Sequence, residues 1–130
     1  MITHLQMISI FVSDMDRALA FYTEKLGFIN TGAEFKDEDT HLIWLLPEAA
    51  AKENYPTQIA LSASPPGDPR IGAASGLVFS SDDIEATYME LKNKGVEFTL
   101  DLVRHNYGEG EGDQEASFID PDGNEFLLHT

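Results

Sequence analysis

The same order of sequence patterns occurs twice along the chain, and that repetition limits it to folds made from two like modules. Residues 5–12 are rich in β-branched and aromatic side chains and read as a strand. Ser13 and Asp14 offer capping oxygens, and Asp16 puts negative charge in a first helical turn. Met15, Leu19, Phe21, Tyr22 and Leu26 then give an amphipathic helix that Gly27 ends. Strands are expected at Phe28 to Phe35, Leu42 to Leu46 and Gln58 to Ala63, with a loop from Pro47 to Pro56 that has room for a helical turn. The order then returns. Gly76 to Ser81 reads as a strand, and Asp82 and Asp83 cap a helix carrying Ile84, Tyr88 and Leu91 up to Gly95. Val96 to Val103, Glu115 to Ile119 and Glu125 to His129 supply three more strands. Asp14 to Asp83 spans 69 residues and Gly27 to Gly95 spans 68, so the spacing is nearly constant. The reading is α+β: two βαβββ modules, about 1–63 and 75–130. They are joined by a linker at 64–74 that Pro65, Pro66 and Pro69 stiffen.

Charge narrows the partners. Eight Lys and Arg stand against 23 Asp and Glu, a formal charge of −15 in 130 residues. Nucleic acid and anionic membranes are excluded as partners, because phosphate binding needs clustered basic side chains. Neutral or cationic small molecules fit the negative field. There is no cysteine, hence no disulfide and no thiolate metal site. The first residues lack the basic and apolar regions of an export signal, and the longest apolar runs fall far short of the ~20 residues of a membrane helix. A soluble, cytoplasmic domain is expected.

The segment from Ile10 through Ser13, Asp14, Asp16, Ala18, Phe21 and Tyr22 to Leu26, Gly27 and Phe28 resembles the opening of a vicinal-oxygen-chelate protein. That superfamily includes glyoxalase I, ring-cleaving dioxygenases, fosfomycin-resistance enzymes and bleomycin-resistance proteins. The closing segment from Phe118 through Asp120, Pro121, Asp122 and Gly123 to Phe126 is similar to that family's terminal hairpin. The resemblance implies a half-open, cup-shaped barrel and a homodimer, for which unpaired edge strands give a physical reason. It also implies, in catalytic members, a divalent metal held by His, Glu or Gln from four strands, which polarises substrate oxygens.

The positions that match those ligands hold Met7, Gly76, Leu127 and, on the strand at 58–63, Ala60. None is a ligand for a hard or borderline metal. Residues 57–63 and 71–81 contain no His, Asp or Glu, so a slip of register restores nothing. No metal and no cofactor are expected.

What remains is an organic-ligand pocket. Alternation turns Ile8, Ile10 and Val12 toward the helix and leaves Met7, Ser9 and Phe11 for the cup. In the second half Val78 and Ser80 face the cup beside Gly76, with Leu77 and Phe79 in the core. Trp44, the only tryptophan, and Gln58, Ala60, Leu127 and His129 complete the expected lining, with Tyr107 or His105 reaching in from the glycine-rich run 104–113. Such a pocket is apolar with few polar groups, as small-molecule sites are. The favoured reading is a metal-free binding protein for a small hydrophobic or cationic molecule, similar to the bleomycin-resistance branch. The alternative is a glyoxalase-like lyase or dioxygenase with a displaced metal site recruiting His129, Glu125, Gln58 or His105. A third reading is metal-free acid–base catalysis by His129 or Tyr107. His4 and the helix-start acids need no functional role.

Overall fold

A computed structural model describes residues 1–104 and 113–130; the expectations for His105 and Tyr107 lie outside the described residues. The chain divides into two compact units, Met1–Ile71 and Gly72–Thr130. Each is a βαβββ module.

In the first unit, β1 (Met7–Val12) leads into α1 (Met15–Ala20), followed by β2 (Phe28–Lys36), β3 (His41–Pro47) and β4 (Gln58–Ala63). The sheet order is β1-β4-β3-β2, with β1 parallel to β4 and the other pairs antiparallel. The first strand starts at Met7 rather than at Leu5, which is exposed. Asp14 caps α1 by accepting the Arg17 backbone N–H at 3.1 Å. The helix does not run on to Leu26 in α form: Phe21–Lys25 widens into a π turn in which the Leu26 N–H donates to the Phe21 carbonyl at 3.1 Å. That extra residue per turn lets both Phe21 and Tyr22 turn inward with Met15 and Ala18. Ile10, Val12, Ile43, Leu45, Ile59 and Leu61, which strand pairing places on one side of the sheet, are all buried as well. The expected helical turn between β3 and β4 is a 3-10 segment, Glu48–Lys52.

The second unit repeats this with β5 (Ala74–Ser80), α2 (Ile84–Asn93), β6 (Glu97–Arg104), β7 (Gln114–Ile119) and β8 (Glu125–His129), in the sheet order β5-β8-β7-β6. Asp83 caps α2 by accepting the Ala86 N–H. Gly95, at φ +84°, closes it: the Val96 N–H reaches the Leu91 carbonyl and the Gly95 N–H reaches Lys92, the two bonds of a Schellman ending. Between α2 and the sheet lie Phe79, Phe98, Phe118 and Phe126, whose ring centroids stand 5.3–6.3 Å apart in successive pairs. The turn between β7 and β8 is built on buried Asp120, which accepts from the Asp122 and Asn124 backbone N–H groups and from the Asn124 side chain. Asn124 in turn accepts the Gly72 N–H at 2.9 Å, fastening the start of the unit to this turn.

Candidate functional site

Each sheet has one face covered by its helix and one that is not, and strand pairing fixes which residues share the latter. In the first unit Met7 pairs with Gln58, Ser9 with Ala60 and Phe11 with Ser62 across β1 and β4. Trp44 pairs with Ala60 and Leu42 with Ser62 across β4 and β3, and Phe35 with Leu42 across β3 and β2. Paired residues lie on one side of a sheet. The structure therefore brings Met7, Ser9, Phe11, Trp44, Gln58 and Ala60 onto a single helix-free face.

The Trp44 indole N–H donates to the Met7 sulfur at 3.2 Å. Because β4 lies between β3 and β1, the indole crosses β4 to make this bond, and it does so over Ala60. Ala60 is only 1% exposed although no helix covers it. A larger side chain at 60 would fill the space the indole crosses. Farther along, Phe11, Ser62, Leu42 and Phe35 form a row that ends in the open, with Phe35 48% exposed.

Two charged groups frame this end. The Arg70 guanidinium lies over the Phe11 ring, 4.0 Å from its centroid. It is held by two bonds to Asp68, at 3.1 and 2.7 Å. These bonds, and after them the Arg70 backbone N–H, lower the Asp68 pKa to about 2, and the bonds to the Asp68 carboxylate raise that of Arg70. Beside them a cavity of about 280 Å³ is lined by Lys36, Asp37, Glu38, Asp39, Thr40, His41, Ala63, Ser64 and Pro65. His41 is paired with Glu34 at 2.7 Å.

In the second unit Val78, Leu127, Ser117 and Leu100 form one row of the helix-free face, and Ser80, His129, Glu115 and Val103 the next. Val78 is 55% exposed. His129 Nδ1 lies 3.0 Å from the Thr130 carbonyl, and Glu125 accepts the Thr99 hydroxyl at 2.9 Å. His4 lies outside the strands and packs its ring against Tyr55. Leu42 and Phe35 are absent from the expected lining, although alternation along Leu42 to Leu46 already pairs Leu42 with Trp44. Arg70 is also absent, and an acid and a base two residues apart in a proline-rich stretch give no sign of a distant ring.

A family model described as the glyoxalase/bleomycin resistance protein/dioxygenase superfamily matches residues 2–128. The chain belongs to that superfamily. It is 29% identical over 130 residues to the uncharacterized protein YetH of Bacillus subtilis, with 98% of each chain covered. It is 36% identical over 109 residues to YurT of the same organism, covering 74% of this chain and 78% of that one. Among solved structures it is similar to a glyoxalase/bleomycin resistance protein/dioxygenase superfamily member from Sphaerobacter thermophilus, at TM-score 0.79 and 29% identity, over 98% of this chain and 97% of that one. TnmS3, an antibiotic-binding protein from Streptomyces sp. CB03234, matches at TM-score 0.75 and 30% identity, over 98% and 94%.

Superfamily membership raises the question of a metal. At Met7, Ala60, Gly76 and Leu127, the positions that the sequence resemblance matches to metal ligands, stand a thioether, a methyl group, a hydrogen and an isobutyl group, none of them a hard or borderline donor. Among the described residues no group of three or more His, Cys, Asp and Glu is placed to hold a metal.

Proposed function

We propose that this superfamily member is a metal-free binding protein that takes a small, flat, hydrophobic or cationic molecule on the helix-free face of its sheets. The observation that carries the reading is the replacement of the four matched ligand positions by Met7, Ala60, Gly76 and Leu127 within an apolar, aromatic surface. An apolar wall with a few polar groups sequesters a planar molecule without chemistry. Similarity to an antibiotic-binding protein supports the same reading. Met7, Ser9, Phe11, Trp44, Gln58 and Ala60 are the proposed contacts on the sheet of the first unit, and Val78, Leu127 and His129 those on the sheet of the second. Tyr107 stays in the proposal on the strength of the sequence alone.

Elemental analysis of protein offered Zn²⁺, Ni²⁺, Mn²⁺ and Fe²⁺ tests this. Less than about a tenth of an equivalent retained is expected, since tight binding needs several deprotonated donors at once. One tightly held equivalent that turns over a substrate would overturn the reading and restore the lyase or dioxygenase alternative. The acid–base reading rests on His129 standing between Ser80 and Glu115 in the sheet. It requires that His129→Ala abolish turnover. We also propose a homodimer, since among the described residues each sheet ends in strands with no further neighbour in that sheet. Light scattering at twice the monomer mass is the expected result.

A further inference from the structure

The Phe11 ring already carries a cation. Arg70 lies on it at a separation where the negative face of the ring attracts positive charge. Asp68 holds the guanidinium in place through two of its nitrogens and also accepts the Arg70 backbone N–H at 2.9 Å. The two partners are unequally placed: the Asp68 side chain is 14% exposed and that of Arg70 59%. The carboxylate is the fixed member of the pair and the guanidinium the replaceable one.

We infer that Arg70 is an internal stand-in for a cationic ligand, and that a planar aromatic cation displaces it from Phe11 and takes over both the ring face and the Asp68 carboxylate. The inference rests on the proposed binding role of this face and adds the charge class and the recognising residues. Displacement is cheap for the protein, because Arg70 swings into water where its charge is well hydrated. The exchange is also balanced, because one positive charge replaces another beside Asp68. A neutral ligand lacks that balance, since it leaves Asp68 with no cation. An anion meets Asp68 itself, whose backbone N–H donates to the Pro65 carbonyl, and the acids Asp37, Glu38 and Asp39 of the cavity that Pro65 lines.

The test is calorimetric titration of the full chain with 9-aminoacridinium, with neutral 9-anthracenemethanol and anionic 9-anthracenecarboxylate as probes of similar shape. Arg70→Ala removes the competitor and is expected to bind the cation about threefold to tenfold more tightly. Phe11→Leu keeps apolar volume and is expected to weaken it. In the double variant the gain from Arg70→Ala should vanish, the signature of two residues sharing one interaction. Binding that is unchanged or weaker in Arg70→Ala overturns the inference, and this comparison holds even if Phe11→Leu does not fold. Binding of the neutral probe alone overturns it while leaving the face a binding surface. Failure of all three probes with both wild type and Arg70→Ala removes the surface reading as well.

Discussion

Trp44 reaches Met7 only because residue 60 is an alanine, so one methyl group sets the position of the largest side chain on the face. Ala60→Leu fills the space under the indole and forces it outward, at a cost of about 1–3 kcal/mol for overpacking. A red shift of the single-tryptophan emission, with a lower urea midpoint, is the expected result. An unshifted spectrum would mean that the indole does not lie over position 60. Asp68 gives a second prediction. Its pKa is lowered to about 2, so its bond to Arg70 is fully present above the ordinary carboxylate value of 3.8 and is lost as pH falls through about 2. The Arg70 Nε–H resonance, shifted upfield by the Phe11 ring, should hold its position from neutral pH down through mild acid. It should move only with a midpoint near 2, whereas movement centred near 4 would show that Asp68 does not hold the guanidinium.

The elements show where local sequence suffices and where it fails. Gly95→Ala forces a side chain into the left-handed backbone at φ +84° and should destabilise the chain by about 1–2 kcal/mol, read from urea unfolding. That position was legible, because a glycine after the last apolar repeat is a chain-stop signal. Strands 58–63 and 125–129 were legible to the residue, since turn-forming or polar neighbours bracket each apolar run. The π turn after α1 was not. A regular 3.6-residue period puts Phe21 off the buried stripe that holds Met15, Ala18 and Tyr22. Only the packed sheet rewards the wider turn, and Thr23, whose hydroxyl bonds the Leu19 carbonyl, carries no pattern that announces it. The face residues of β1 and β4 followed from alternation. The Arg70 to Phe11 contact did not, because it joins a loop to a strand far away in sequence and depends on where that loop runs.

At the scale of the whole molecule the charge of −15 acts before any contact forms. A cationic probe should associate faster at low ionic strength, and its on-rate should fall steeply between ~10 and ~200 mM salt as the Debye length shrinks. The neutral tricyclic probe should show no such dependence in stopped-flow mixing, and an equal salt effect on both would mean that the field does not steer capture. Among the described residues no helix is long and apolar enough to cross a membrane.

The strand order has a consequence for how the chain comes off the ribosome. In each module the opening strand has one hydrogen-bonded neighbour, and that neighbour is the last strand of the module to be made. β1 must wait for β4, and β5 for β8, while the helix and the intervening hairpin are synthesised. Each module is thus a clasp whose first half is useless until its second emerges. The long loop this closes is the slow, entropically costly event in its folding. Since the first clasp is complete in sequence by Ala63, its strand pairing needs no residue of the second module.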